Sequence, residues 1–110
     1  MVRTPLPILT VMRLSDEQRL LIKQLTREMV GDDARVLLFG SRIDDTRRGG
    51  DIDLLVESPR PLADRFGLEL QLGARLERAL GGQRVDLLLV DGTRPLQPVH
   101  RAARTTGLPL

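Results

Sequence analysis

The chain has no cysteine, and its only aromatic residues are two phenylalanines among 110 residues. Without cysteine there can be neither a disulfide framework nor a thiolate metal site, which suits a reducing compartment such as the cytoplasm. Without tyrosine or tryptophan, the chain offers few platforms on which unpaired bases could stack. We therefore expect a cytoplasmic protein that does not bind nucleic acid directly.

Long hydrophobic runs and lysine are also scarce. The apolar runs reach only about five residues, whereas a transmembrane helix needs about 20, so we expect no membrane segment. Lys23 is the single lysine, and the 17 cationic residues nearly balance 15 acidic ones, which gives a net charge of +2. So small a net charge does not indicate a polyanionic partner.

The chain divides into a short tail and one domain. Residues 1–13 contain two prolines and no sustained hydrophobic period, which predicts a flexible N-terminal tail. Residues 14–110 are enough for one domain with a single core.

Three short apolar segments are bounded by turn residues and predict strands at 35–39, 52–57 and 85–90. About a dozen residues join the first strand to the second, which is short for a parallel crossover and favours antiparallel pairing. A full helical segment separates the second strand from the third, which suits a parallel crossover. This arrangement places the end of the first strand beside the starts of the other two.

Helices are predicted at 15–30, 62–80 and 95–106. Ser15 and Gln18 form a capping-box pattern at the start of the first. In the second, the period predicts a buried stripe made of Leu62, Phe66, Leu70 and Gly73, widened by Leu72, Leu76, Ala79 and Leu80.

Three carboxylates fall at the predicted meeting point of the strands. Asp51 and Asp53 lie one residue apart at the start of the second strand, so they point to the same face. Asp86 lies near the start of the third strand. Oxygen ligands of this kind favour Mg²⁺, or Mn²⁺ as an alternative, and two such ions could activate a hydroxyl and hold a nucleotide's phosphates. We expect all three to be catalytic metal ligands.

A small-residue turn after the first strand suits phosphate. Gly40 allows the backbone to approach a phosphate closely, and Ser41 adds a hydroxyl and an N–H group. Arg42 is the cation closest to this turn and could pair with a phosphate. We expect these three residues to bind the nucleotide. A Rossmann or P-loop unit is a weaker interpretation, because the chain has neither Gly-x-Gly-x-x-Gly nor Gly-Lys-Ser/Thr.

The combined pattern resembles the minimal nucleotidyltransferases of the DNA polymerase β-type superfamily. It comprises Leu37-Leu38-Phe39-Gly40-Ser41, Asp51-Ile52-Asp53-Leu54-Leu55-Val56 and Val85-Asp86-Leu87-Leu88-Leu89. The resemblance covers about residues 14–107 and implies a nucleotidyltransferase fold of the α/β (α+β) class, a small mixed sheet with helices packed against it. It also implies that residues 14–110 are one minimal nucleotidyltransferase domain, with ATP as substrate, two Mg²⁺ ions on Asp51, Asp53 and Asp86, and Asp86 as a possible base.

Minimal members of this family commonly act as antitoxins that pair with a HEPN-domain ribonuclease toxin. The resemblance therefore implies transfer of AMP from ATP to a tyrosine of such a toxin, within a hetero-oligomer. Two departures leave an alternative open. Nine residues rather than ten separate Ser41 from Asp51, and Gly50 replaces a common serine. The alternative is a catalytically silent antitoxin that neutralises its partner by contact.

Overall fold

The computed structural model describes residues 14–39, 51–93 and 95–110. The predicted tail at 1–13 and the predicted phosphate-binding residues Gly40, Ser41 and Arg42 lie outside the described residues. In the described residues, no helix is both long enough and apolar enough to cross a membrane.

The three predicted strands are confirmed, and a fourth short strand follows the last helix. The elements in chain order are α1 (Asp16–Met29), β1 (Arg35–Phe39), β2 (Ile52–Glu57), α2 (Arg65–Ala79), β3 (Val85–Val90), α3 (Pro98–Thr106) and β4 (Leu108–Pro109). The capping box is present at α1, because Ser15 Oγ accepts from the Gln18 N–H and the Gln18 side chain accepts from the Ser15 N–H.

The four strands form one mixed sheet in the order β3-β2-β1-β4. β1 pairs antiparallel with β2, and β2 pairs parallel with β3. Both orientations agree with the connection lengths in the sequence. β4 adds to the outer side of β1 in antiparallel orientation. The predicted fold class, a small mixed sheet with helices packed against it, is confirmed.

One face of the sheet lies under α1 and α2 and forms the main core. Ile52, Leu54 and Val56 of β2 point into it and are fully buried. Ile22 of α1 packs against these three side chains, as do Leu72 and Leu76 of α2. Burying each such side chain stabilises the fold by about 1.5–3 kcal/mol, so this face supplies most of the hydrophobic stabilisation.

The other face carries a smaller apolar cluster beneath α3. Leu37, Leu55 and Ala103 are its buried members. α3 is also tied to the sheet by an ion pair, since Arg104 Nε donates to Glu57 Oε2 over 2.6 Å. Gly107 follows α3, and a Cβ there would lie 2.5 Å from the Ala103 carbonyl oxygen. Glycine therefore permits the close turn that leads α3 into β4.

The buried stripe of α2 differs from the predicted one. Leu72 and Leu76 are fully buried, but Phe66 and Leu70 are 60% and 59% exposed. The prediction was wrong for these two because apolar residues occur on two sides of this helix, and the period alone cannot choose the side that meets the sheet. Ala79, also predicted in the stripe, is exposed at the end of the helix. The helix also begins later than predicted, since Asp64 caps it by accepting from the Gly67 N–H.

Side chains of α2 cover the outer edge of β3. Glu69 Oε2 accepts from the Leu89 N–H over 2.8 Å, and Glu77 Oε2 accepts from the Val85 N–H over 3.0 Å. Arg65 donates to the Leu89 carbonyl over 2.9 Å. These bonds occupy backbone groups through which an exposed edge strand could pair with another chain.

Candidate active site

Two of the predicted carboxylates lie side by side across the sheet. Asp53 pairs with Phe39 of β1 on one side and with Asp86 of β3 on the other. Side chains in register on neighbouring strands project from the same face, with Cβ atoms about 5 Å apart. The end of β1 therefore meets the starts of β2 and β3, as the connection lengths predicted.

Asp51 immediately precedes β2 and joins this group through an arginine. The Arg84 guanidinium lies 3.8 Å from an Asp51 carboxylate oxygen and 4.0 Å from one of Asp86. The Arg84 carbonyl also accepts from the Ile52 N–H over 2.9 Å, which extends the β2–β3 ladder to this end. One cation therefore lies beside two carboxylates, one just before β2 and the other in β3.

Arg84 is a site residue that the sequence analysis missed. It lies two residues before Asp86, so strand alternation places both side chains on one face. That spacing was the available signal. The arginine side chain is 72% exposed, while the carboxylates of Asp51 and Asp86 are 40% and 53% exposed. The site is thus open to a ligand from solvent.

The donor set fits a divalent cation in its chemistry. The three side chains offer only carboxylate oxygens, which Mg²⁺ and Mn²⁺ prefer. Within residues 14–39, 51–93 and 95–110, no three histidine, cysteine or acidic side chains already surround a common point at metal-binding distance. Ligation by all three aspartates would therefore require side-chain rotation, with Arg84 moving from the position where it neutralises Asp51 and Asp86.

A second feature lies at the opposite end of β3. Asp91 is buried and accepts from the Leu62 N–H, the Thr93 N–H and the Thr93 hydroxyl. The Thr93 hydroxyl bond, followed by the Leu62 backbone bond, holds the pKa of Asp91 below its ordinary value of 3.8. In the sequence, Asp91-Gly92 has only the pattern of a turn after the third strand. In the structure, the Asp91 carboxylate joins the end of β3 to the segment that leads into α2.

A cavity of about 260 Å³ adjoins Asp91. Its walls include Phe66 of α2, Leu88 of β3 and His100 of α3. Val90 at this end lies four residues from Asp86, which is about 13 Å along a strand. The cavity is therefore separate from the carboxylate group, which lies at the other end of β3.

Comparison with known protein families identifies the domain type. The family model described as "Nucleotidyltransferase domain" matches residues 20–105, a range that contains β1, β2, β3 and the three aspartates. A search of curated proteins gave no match. The matched range covers most of the chain and the whole of the site described above.

Proposed function

The chain belongs to the nucleotidyltransferase domain family, and we propose that it transfers AMP from ATP to a tyrosine hydroxyl of a HEPN ribonuclease toxin. Membership of this family establishes that the chain is a transferase, without identifying its acceptor. The finer proposal is that of a cytoplasmic antitoxin that uses Mg²⁺ and works in a hetero-oligomer with its toxin. The observation that carries it is the register of Asp53 beside Asp86, with Asp51 at the same end of the sheet.

In this proposal the aspartates have distinct tasks. Asp51 and Asp53 hold the metal, and Asp86 completes its ligands and lies where it can accept the proton of the attacking hydroxyl. Bound Mg²⁺ would neutralise phosphate charge and make the leaving group easier to expel. The tyrosine oxygen forms a bond to the α-phosphorus, the bond from that phosphorus to the bridging oxygen breaks, and pyrophosphate leaves with the electron pair.

The resemblance to minimal nucleotidyltransferases supports the choice of partner. This sequence contains no tyrosine, so a partner would bring the acceptor tyrosine to the open carboxylate face. Gly40, Ser41 and Arg42 are proposed to hold the triphosphate beside that face.

The test is the intact mass of the toxin after incubation with this protein, ATP and Mg²⁺. We expect the toxin to become heavier by one AMP moiety, and we expect the Asp51→Asn, Asp53→Asn double variant to leave it unchanged. An Asp16→Asn variant is the matched control, because Asp16 is a surface carboxylate on α1 with 83% side-chain exposure. Equal labelling by the double variant would refute the proposed site.

Arg84 favours a second candidate function. Its guanidinium already neutralises Asp51 and Asp86, as expected of a site that no longer binds a metal. In that case the chain is a silent antitoxin that blocks its partner by contact alone. The growth of cells that express the toxin distinguishes the two candidate functions. Full protection of the cells by the Asp51→Asn, Asp53→Asn double variant supports inhibition by contact. Loss of protection by a double variant that still binds the toxin supports AMP transfer.

A further inference from the structure

The outer face of α2 is apolar at its centre. Phe66 and Leu70 are 60% and 59% exposed, and Ala74 is exposed one turn further on. Spacing of four residues places all three on one side of the helix. Leu20 of α1 is equally exposed at 65%, but polar residues at 16, 17, 23 and 24 surround it on its own helix. Of these exposed apolar residues, Phe66, Leu70 and Ala74 of α2 form a continuous apolar ridge, and Leu20 does not belong to one.

This ridge is complementary to itself. Leu70 lies at its midpoint, with Phe66 four residues before it and Ala74 four residues after it. In an antiparallel pair of α2 helices related by a two-fold axis at Leu70, the large Phe66 of each copy meets the small Ala74 of the other. Two-fold interfaces require such a surface, since one patch must fit its own copy.

The charges beside the ridge follow the same symmetry. Asp64 lies six residues before Leu70, and its carboxylate accepts from the Gly67 N–H beside the ridge. Arg78 lies eight residues after Leu70, about 80° from it around the helix. Both residues are exposed, so antiparallel pairing brings Asp64 of one copy near Arg78 of the other. The helix's two glutamates do not oppose this pairing, because Glu69 and Glu77 accept bonds from the β3 backbone.

We propose that α2 is a homodimer interface in which two copies pair antiparallel about Leu70. The interface is formed by Phe66, Leu70 and Ala74, with Asp64 opposite Arg78 of the other copy. One helix pair buries less area than a standard stable interface, so the dimer is weak and forms at micromolar or higher concentration. The proposal is independent of nucleotide transfer, because the ridge lies on the helical layer and the carboxylates lie on the sheet's other face.

Cysteine cross-linking tests the register directly, because the natural chain has no cysteine. A disulfide requires Cα atoms about 4.4–6.8 Å apart. We expect Leu70→Cys to form a disulfide dimer under mild oxidation. We expect Phe66→Cys alone to cross-link slowly, and an equal mixture of Phe66→Cys and Ala74→Cys to cross-link with each other. Leu20→Cys is the control for random collision. Cross-linking of Leu70→Cys no faster than Leu20→Cys would overturn the proposal.

Sedimentation velocity gives a second readout that needs no cross-link. The wild-type chain should show a concentration-dependent dimer, and Leu70→Glu should raise the dissociation constant at least tenfold by placing two carboxylates at the axis. Leu20→Glu introduces the same charge at an equally exposed leucine and should dimerise like the wild type. Circular dichroism confirms that each variant is folded. A wild-type chain that stays monomeric up to millimolar concentration would contradict the proposal. An equal loss of dimer in Leu70→Glu and Leu20→Glu would also contradict it.

Discussion

The two faces of β2 have opposite characters. Ile52, Leu54 and Val56 point into the core under α1 and α2 and are fully buried. Asp53 and Glu57 alternate with them and point to the other face, where α3 covers Leu55 but the end bearing Asp53 is partly exposed. A single strand thus supplies the fold's stability on one side and its proposed chemistry on the other.

The difference shows why a small domain can carry clustered carboxylates. Like charges placed close together destabilise a protein unless solvent or a counter-ion screens them. The carboxylate face is open to water and has Arg84 beside Asp51 and Asp86. Because the face under α1 and α2 supplies most of the buried apolar area, changes to the aspartates on the carboxylate face should alter function while leaving stability nearly intact.

The largest effect on stability is expected from the core side of β2. Leu54→Ala should lower the free energy of unfolding by about 3 kcal/mol, since it removes buried methyl groups and leaves a cavity. Asp53→Asn, one residue away, should change the free energy of unfolding by less than about 0.5 kcal/mol while abolishing the proposed AMP transfer. Urea denaturation measures both. If Asp53→Asn destabilised the chain as much as Leu54→Ala, the division between faces would be wrong.

A smaller loss is expected at Asp91, the buried carboxylate at the far end of β3. Asp91→Ala removes three accepted hydrogen bonds and should cost about 2 kcal/mol at neutral pH. This variant tests whether burial, rather than charge, decides which carboxylates stabilise the fold. If Asp91→Ala lowered the free energy of unfolding no more than Asp53→Asn does, burial would not be the deciding factor.

The pH dependence of that loss has a definite sign. The folded-state pKa of Asp91 lies below 3.8, so its stabilising contribution is complete above that value and is lost as the pH falls through the folded pKa. The stability difference between wild type and Asp91→Ala should therefore narrow as the pH falls below 3.8. A difference that widened on acidification would contradict the assigned role.

The smallest effect on stability is expected at Arg84. Its ion pairs with Asp51 and Asp86 are exposed, and such pairs contribute about 0–1 kcal/mol. Arg84→Ala should nonetheless bind Mn²⁺ a few-fold more tightly, because it removes a cation that competes for the same carboxylates. Arg84→Lys retains the charge and is the control. Weaker Mn²⁺ binding by Arg84→Ala would mean that the arginine helps to assemble the site.

Strand positions could be predicted from the sequence, because each strand is an apolar run closed by turn residues. The strands Arg35–Phe39, Ile52–Glu57 and Val85–Val90 are the predicted ones. β4 could not be predicted, since a strand of two residues is too short to show an alternating period. The last helix begins at Pro98 rather than at 95, where proline suits the first turn.

The relative positions of the aspartates could be predicted because spacing determines that geometry, and the Asp53–Asp86 register agrees with it; their role in binding a metal stays a prediction. The alternation of strand side chains placed Asp51 and Asp53 on one face, and connection lengths placed Asp86 beside them. Arg84 was missed because its importance depends on distances across two strands, and Asp91 because a turn pattern does not reveal burial. The roles of Gly40, Ser41 and Arg42 stay predictions, as those residues lie outside the described ranges.

The central claim is that Asp51, Asp53 and Asp86 together bind a divalent cation, and Mn²⁺ titration followed by electron paramagnetic resonance tests it most directly. We expect Asp53→Asn and Asp86→Asn each to weaken Mn²⁺ binding at least tenfold, an effect of about 1.4 kcal/mol. The surface control Asp16→Asn should bind like the wild type. Unchanged Mn²⁺ affinity in both Asp53→Asn and Asp86→Asn would contradict the account.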